Sequence, residues 1–418
     1  MMKVYFDTLG CKINQYETQA VREQILMAGG EITEDICKAD YFIINTCVVT
    51  ETAERASLHK IRKALKDNPG VKVVVTGCLA EIPLKVKELE HVDFVFRNEE
   101  KKDLAFLLGF EKGKKEFAVS GLFGHKRSFL KIEDGCENSC AYCIVPFTRG
   151  KIESRPMQEI VKEAKRLSDN GYMEIVLTGI NLGAYGQELD KDNNLPVVVE
   201  NILQIENLGR LRLSSIEPEY ITPKLLDVIA KSSGRVCPHL HIPLQSGDTN
   251  MLKLMNRKYS VEDYIFKLKL AKEKIKDLSI TTDIIVGFPG ETDKMFESSL
   301  ELMKQQRFLK VHVFSYSDRE GTKAALMKDK VPEAEKERRY KKMLLSSETK
   351  GREFVRTFIG KELEILVEGI ERRKNKSIKG FSENYIKVNI EDGSERDIGN
   401  IVKVRLERVE KENYGRKI

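Results

Sequence analysis

The feature that most limits the fold is an alternation. From Phe129 to Ser317, short β-rich runs and helix-like stretches succeed one another about six times. The runs are FLKIEDG, EIVLTGIN, LRLSSIEP, HLHIPLQS, ITTDIIVGFPG and KVHVFSYS. Between them stand helical segments such as Met157–Asp169, Pro223–Lys231, 261–276 and 293–305. Consecutive strand–helix units favour a parallel sheet covered by helices. Six of them predict an open, partial (β/α)6 barrel rather than the closed eight-fold form. Pro156 and Pro223 fall where a first helical turn tolerates proline.

The flanking regions follow other patterns. At the N-terminus, VYFDTLG, YFIINTC and VKVVVTGC are each followed by a helical stretch, beginning near Tyr16, Glu51 and Ala80, and VDFVF closes the series. A small parallel α/β sheet is expected over residues 1–120. A Gly- and Lys-rich link, about 112–124, opens the central region, residues 121–352. After a charged helix near 333–358, the pattern changes to strands alone: LEILVEGI, SIKGFSE, YIKVNIE and NIVKVRLERV. Turn residues at Gly360, Gly380 and Asp392-Gly393 separate them, so residues 353–418 read as a small antiparallel β-barrel. The class is α/β, and 418 residues suffice for three such units.

Composition narrows the chemistry. Eight cysteines are too few for a disulfide-stapled secreted fold of this length. MMKVYFDTLGCK shows no signal-peptide pattern. No apolar run approaches the roughly 20 residues of a membrane span. The expected compartment is the reducing cytoplasm, with no membrane partner and with thiolates available to metal. A net charge of +6, from 71 basic and 65 acidic residues, permits a nucleic-acid partner without requiring one.

LKIEDGCENSCAYCIVPFTRG sets Cys136, Cys140 and Cys143 in one tight loop after the first central strand. Three thiolates can hold three irons of a 4Fe-4S cluster and leave the fourth open. An open iron can bind the amino and carboxylate groups of S-adenosylmethionine and pass an electron to its sulfonium. A structural zinc loop would ask for a fourth ligand close by, and none is evident in the sequence. Tyr142, between the last two cysteines, is placed to pack on the adenine, or packs on protein only.

CENSCAYC has the spacing of the radical S-adenosylmethionine superfamily, and DGCENSCAYCIVPFTRG resembles its methylthiotransferase branch along essentially the whole chain. The resemblance implies insertion of a methylthio group into tRNA or a ribosomal protein. Two cofactor molecules would be used, one as methyl donor and one as radical source.

Cys11, Cys47 and Cys78 each lie at or just beyond the end of an N-terminal strand. In an open parallel sheet those ends face one crevice, where ligands bind. By spacing alone they remain either a second cluster site or three small buried residues. The resemblance implies the former, an auxiliary 4Fe-4S cluster, on TLGCKINQYET, INTCVVTETAE and VTGCLAE. Cys37 and Cys237 read as structural.

Polar groups at the ends of central strands are candidates for cofactor contacts: Gly179 in TGIN, Ser215, Glu217, Gln245 and Asp283. Each has an ordinary alternative as a loop cap or barrel lining. Arg257 reads as reaching a carboxylate or phosphate, or as a solvated helix-end arginine. His239, His241 and His312 alternate with apolar residues and read as core or site-lining groups.

In the last region Arg372, Arg373, Lys374, Lys376 and Lys379 form one basic stretch, and Lys403, Arg405 and Arg408 lie on another strand. Small barrels with a basic face commonly bind RNA, though by charge alone the signal is weak and a merely solvated face stays open. The region resembles the TRAM module, which implies an RNA-binding barrel. TLGCKINQYET, EIVLTGINLGAYG and HLHIPLQSGDTNMLKLMNRKYS look most like the branch acting on threonylcarbamoyladenosine in the tRNA anticodon stem-loop. Sister branches act on isopentenyladenosine in tRNA or on a ribosomal-protein aspartate. An electron donor such as a flavodoxin or ferredoxin, and a sulfur donor, are implied. The rival of another class is a non-catalytic iron–sulfur RNA-binding protein.

Overall fold

The computed structural model describes residues 1–110, 116–189, 192–370 and 377–418. The N-terminal sheet runs β1 (Lys3–Thr8), β2 (Glu31–Ile32), β3 (Tyr41–Thr46), β4 (Lys72–Gly77) and β5 (Phe94–Val95), in the order β2-β1-β3-β4-β5, every pair parallel. Its helices are α1 (Lys12–Met27), α2 (Glu51–Asp67), α3 (Pro83–Lys87) and α4 (Leu104–Leu107). Helix α1 starts at Lys12, one turn earlier than periodicity suggests, with Cys11 at its N-cap. Its two faces serve different cores. Val21 and Ile25 pack under the N-terminal sheet, while Tyr16 and Ala20 join the central core.

The central strands are β6 (Ser128–Lys131), β9 (Glu174–Thr178), β10 (Arg210–Leu213), β11 (His239–His241), β12 (Ser279–Val286) and β13 (Lys310–Ser315), with the short antiparallel pair β7 (Glu133–Asp134) and β8 (Glu153–Ser154) beside the cysteine loop. β6, β9 and β10 pair in parallel, as do β11, β12 and β13. Single bridges, Leu211 to Val236 and Ser215 to His241, join the two halves into one curved six-stranded wall. α5 (Val145–Arg149), α6 (Met157–Asp169), α7 (Leu195–Ile202), α8 (Pro223–Lys231), α9 (Thr249–Leu254), α10 (Val261–Lys274) and α11 (Asp293–Gln306) follow these strands in turn. The wall is open between β6 and β13. Helix α1 lies against β6, and α12 (Glu333–Arg356) against β13.

Five strands then close a barrel: β14 (Glu362–Ile370), β15 (Ile378–Ser382), β16 (Lys387–Ile390), β17 (Ile401–Val409) and β18 (Asn413–Lys417), in the order β14-β15-β16-β18-β17. The expectation of an antiparallel barrel needs one correction: β16 and β18 run parallel. A closed ring with an odd number of strands cannot alternate direction throughout. This barrel caps the N-terminal ends of the central strands. Glu174, at the start of β9, accepts from Arg210 Nε (2.7 Å), Arg212 Nε (2.7 Å) and Arg127 Nη1 (3.2 Å). Arg210 and Arg212 also donate to the carbonyls of Glu364, Phe381, Ser382 and Glu383, and Tyr385 packs on His239 with 4.6 Å between ring centroids. Among the described residues, no helix is long and apolar enough to cross a membrane.

Candidate functional site: two cysteine triads around Arg149

The loop from β7 to α5 carries Cys136, Cys140 and Cys143. Gly135 lets it leave the strand at φ +78°, where a Cβ would come within 1.8 Å of the Lys151 carbonyl. Asn256 Nδ2 holds the loop at Ser139 O (2.7 Å), and Ala141 N–H donates to Met255 O (2.9 Å). The three thiols are free and half-buried. Burial first, then the neighbouring thiols, pushes Cys136 up to about 11 and Cys143 up to about 12. Crowded thiols that resist ionising separately suit a cationic centre that takes up their charge. The donor set therefore fits an iron–sulfur cluster. Arg257 is not a solvated helix end: its Nη1 lies 3.1 Å from Cys140 Sγ, and its guanidinium pairs with Glu217.

The second triad is built from three strand ends. β1, β3 and β4 are neighbours, so Cys11, Cys47 and Cys78 emerge side by side. Gly10 is packed so tightly on Cys47 that a Cβ would lie 2.7 Å from its Sγ. Asn14 Nδ2 donates to Leu9 O (2.8 Å) and Thr46 O (2.9 Å), tying the first two loops. Thr46 Oγ1 donates to Thr76 O (2.6 Å) and accepts from Leu79 N (3.2 Å), tying the third. Cys47 and Cys78 are buried, whereas Cys11 is open to solvent. The protein packed around Cys11 raises it although its side chain stays accessible, burial lifts Cys47 to about 11, and mutual repulsion within the triad adds to both. The chemistry of the donors again fits a cluster.

Arg149 ties the cysteine loop's region to helix α1. It ends α5, directly after the Cys136–Cys143 loop, and reaches into the other domain. Nη1 bonds Glu17 Oε1 (2.6 Å) and Asp134 Oδ2 (3.0 Å), and Nη2 bonds Asn14 Oδ1. Its charge favours ionisation of Cys11 and Cys47. Burial alone would raise the Glu17 carboxyl, but Arg149, Lys101 and Lys131 outweigh it and hold it well below the usual carboxylate range. Sequence reasoning missed Asn14, Glu17 and Arg149. Their only signal was polar character beside each cysteine motif.

The other candidates are distributed unevenly. Tyr142 packs edge-on against Phe288 at 6.4 Å, with its hydroxyl 3.5 Å from Arg257 Nη1. Gly179 leaves room for Glu133, whose Oε1 would lie 2.1 Å from a Cβ there. Glu133 is buried, which pushes it up to about 8, and it accepts the Asn181 N–H at 2.6 Å. Glu133 Oε2, Asn181 Oδ1 and Ser214 Oγ are buried without a partner among the described residues. Unpartnered polar atoms at neighbouring strand ends are costly unless a ligand satisfies them, and they fit the polar groups of S-adenosylmethionine. Ser215 bridges to His241 through the backbone. Gln245, at φ +71°, exchanges main-chain bonds with Asp283 and Ile285. Asp283 pairs instead with His241.

In the C-terminal barrel Lys403 and Arg405 share the exposed face of β17, as alternation predicts. Arg405 pairs with Glu362 and Arg408 with Glu391. Of the basic stretch, Arg372, Arg373, Lys374 and Lys376 lie outside the described residues, and Lys379 lies in β15.

Residues 130–303 match the Radical SAM superfamily, residues 3–97 the Uncharacterized protein family UPF0004 and residues 356–416 the TRAM domain. The fold is shared, at 13% identity and a TM-score of 0.58, with the radical S-adenosylmethionine methyltransferase TsrM from Kitasatospora setae, over 78% of this chain and 77% of that one. This is a radical S-adenosylmethionine protein, of the class that uses a 4Fe-4S cluster with that cofactor. Threonylcarbamoyladenosine tRNA methylthiotransferase MtaB of Bacillus subtilis is 37% identical, over 97% of this chain and 94% of its own length. The tRNA-2-methylthio-N(6)-dimethylallyladenosine synthase of Acetivibrio thermocellus is 33% identical, over 97% and 89%. The chain belongs to the radical S-adenosylmethionine methylthiotransferase family, enzymes that transfer a methylthio group.

Proposed function

We propose that this enzyme converts threonylcarbamoyladenosine, next to the anticodon of tRNA, to its 2-methylthio derivative, using two 4Fe-4S clusters and two molecules of S-adenosylmethionine. The observation that carries the reading is the pair of free three-thiol sites, linked through Arg149, which follows the Cys136–Cys143 loop in the chain and bonds Glu17 and Asn14 on the helix that begins after Cys11. Cys136, Cys140 and Cys143 are the ligands of the radical cluster, and Cys11, Cys47 and Cys78 those of the auxiliary one. When bound, these groups supply the electron, the carbon-centred radical and the methylthio unit, and a flavodoxin- or ferredoxin-like donor and a sulfur donor replenish them.

The chain's own part is placement. Arg257 steadies the cysteine loop at Cys140 and pins Glu217 beside it. Tyr142, Gly179, Ser215, Glu217 and Gln245 line the cofactor's path along the strand ends, with Glu133, Asn181 and Ser214 as additional polar contacts. Asn14 and Thr46 fix the auxiliary loops, and Arg149 sets the distance between the triads. The TRAM barrel takes the tRNA backbone. The cytoplasm supplies the reducing setting.

The substrate nucleoside follows the 37% relative and the TGIN strand end. The test is mass spectrometry of nucleosides from tRNA incubated with reduced, cluster-loaded enzyme. A methylthio gain on threonylcarbamoyladenosine is expected. A gain on isopentenyladenosine alone moves the enzyme to the sister branch, and a gain only on ribosomal protein removes tRNA as its substrate.

A further inference from the structure

The inner wall of the partial barrel carries a polar layer that neither cysteine triad uses. β11, β12 and β13 contribute His241, Asp283 and His312, with one ligand atom of each lying within 4.8 Å of the others. His241 is fixed from both sides: Nε2 is 3.2 Å from Asp283 Oδ2 and Nδ1 is 2.9 Å from Thr281 Oγ1. The His241 and His312 rings stand 5.7 Å apart, and all three side chains are only partly covered.

Lys12 reaches this layer from the other domain. It is the first residue of α1, on the helix face shared with Tyr16, Gln19 and Glu23. Each of those touches the chain beyond the N-terminal sheet: Tyr16 Oη bonds Glu163 (2.9 Å), Gln19 Oε1 accepts from Phe123 N (3.1 Å) and Glu23 accepts from Ser120 N (2.9 Å). That face turns Lys12 toward the open side of the barrel, where Arg127, Cys11 and Arg212 as well as Asp283 act on it, and where its charge acts on His239 and His312. The side chain is open to solvent. Its ammonium makes no hydrogen bond or ion pair among the described residues.

We propose that Lys12, with His241 and His312, binds the threonylcarbamoyl side chain of the modified base, the ammonium taking its carboxylate and the imidazoles its hydroxyl and carbamoyl oxygens. The inference rests on the substrate reading above. Two histidines and a carboxylate also make a metal donor set, but an unpaired ammonium beside them disfavours a divalent cation and favours an anion. Asp283 already serves as acceptor for His241, which leaves Lys12 as the free charge. A pocket built on that charge rejects a base whose N6 substituent is purely apolar, because the ammonium would be left desolvated and unpaired.

The test uses full-length, cluster-loaded protein without oxygen, and two anticodon stem-loop RNAs. One carries threonylcarbamoyladenosine, the other its threonine methyl ester. Wild type should bind the acid about 10–100-fold more tightly than the ester, as loss of a charged hydrogen-bond partner implies. Lys12→Met should bind both at the ester's level, with wild-type iron and sulfide contents, and Lys12→Arg should keep most of the preference. His312→Gln should weaken acid and ester alike, because the hydroxyl and carbamoyl oxygens it holds are present in both. An unchanged acid-to-ester ratio in Lys12→Met overturns the proposal, as does equal binding of the two RNAs by wild type. Loss of iron from Lys12→Met would assign the ammonium to the neighbouring cluster and overturn it too. Wild type that methylthiolates isopentenyladenosine RNA and not the acid would instead sink the substrate reading.

Discussion

The two cysteine triads reach the same donor count by opposite routes. Cys136, Cys140 and Cys143 share one loop, steadied by Met255, Asn256 and Arg257 from another part of the same barrel. Cys11, Cys47 and Cys78 meet only after three strands have paired, and Asn14 and Thr46 hold their loops in register. The first site is local and rests on loop sequence. The second is a product of sheet topology. Arg149 belongs to the first by chain position and to the second by contact.

The largest effect should come from the local site. Cys136→Ala, Cys140→Ala or Cys143→Ala should each abolish deoxyadenosine formation, since no nearby group replaces a lost thiolate. About half of the iron should remain, on the auxiliary triad. Normal cofactor cleavage in any one variant would break the division between the sites.

Replacing Cys11, Cys47 and Cys78 together by Ala should remove about half of the iron and stop methylthiolation. Cofactor cleavage should persist. Methylthiolated tRNA from this triple variant would show that the topological site is dispensable.

Arg149→Met tests the joint. Removing one partner from a buried ion network costs about 3–5 kcal/mol, so thermal unfolding should shift down and product yield should fall more than cofactor cleavage. Glu17 contributes to the same network. Because its carboxyl is held well below the usual range, its stabilisation persists through mild acidity and is lost as pH falls through that depressed value. A variant as stable as wild type would mean the domains are held elsewhere, for instance at Tyr16 and Glu163.

Asn14→Ala should be milder. It removes the donor to the half-buried Leu9 carbonyl and the buried Thr46 carbonyl, at about 1–3 kcal/mol each at most, and should lower iron at the Cys11, Cys47 and Cys78 site while sparing the other. Equal iron loss at both sites would erase the distinction. The smallest change is expected from Lys403→Glu with Arg405→Glu on the exposed face of β17. Binding of tRNA should weaken and its salt dependence should flatten, because fewer counterions are released. Iron content should stay unchanged. A steep salt slope retained by this double variant would place the RNA contact elsewhere.

What each region disclosed in sequence follows the same contrast. Cys136, Cys140 and Cys143 stand out, because three thiols close together in one loop form a recognisable donor set. Cys11, Cys47 and Cys78 needed the inference that three β-runs are parallel neighbours, and the family resemblance to complete it. The strand–helix alternation disclosed the partial barrel, and the strands-only pattern disclosed the C-terminal one. Arg257 and Asp283 were seen as candidates, yet their partners, Cys140 and Glu217 for one and His241 for the other, were not.

Element order, the class of each region and the clustered thiols are legible in the residues alone, because these depend on local periodicity and on side-chain chemistry. Only folding brings Arg149 to Glu17 and Asn14, and only folding lets Glu174, Arg210 and Arg212 fasten the TRAM barrel to the central strands. Tertiary structure also decided the parallel closure of β16 on β18. The physical reason is the range of the forces. Propensity and turn chemistry act over a few residues. A buried charge instead takes whichever partners three-dimensional packing brings within hydrogen-bonding distance, however far apart they lie in the chain.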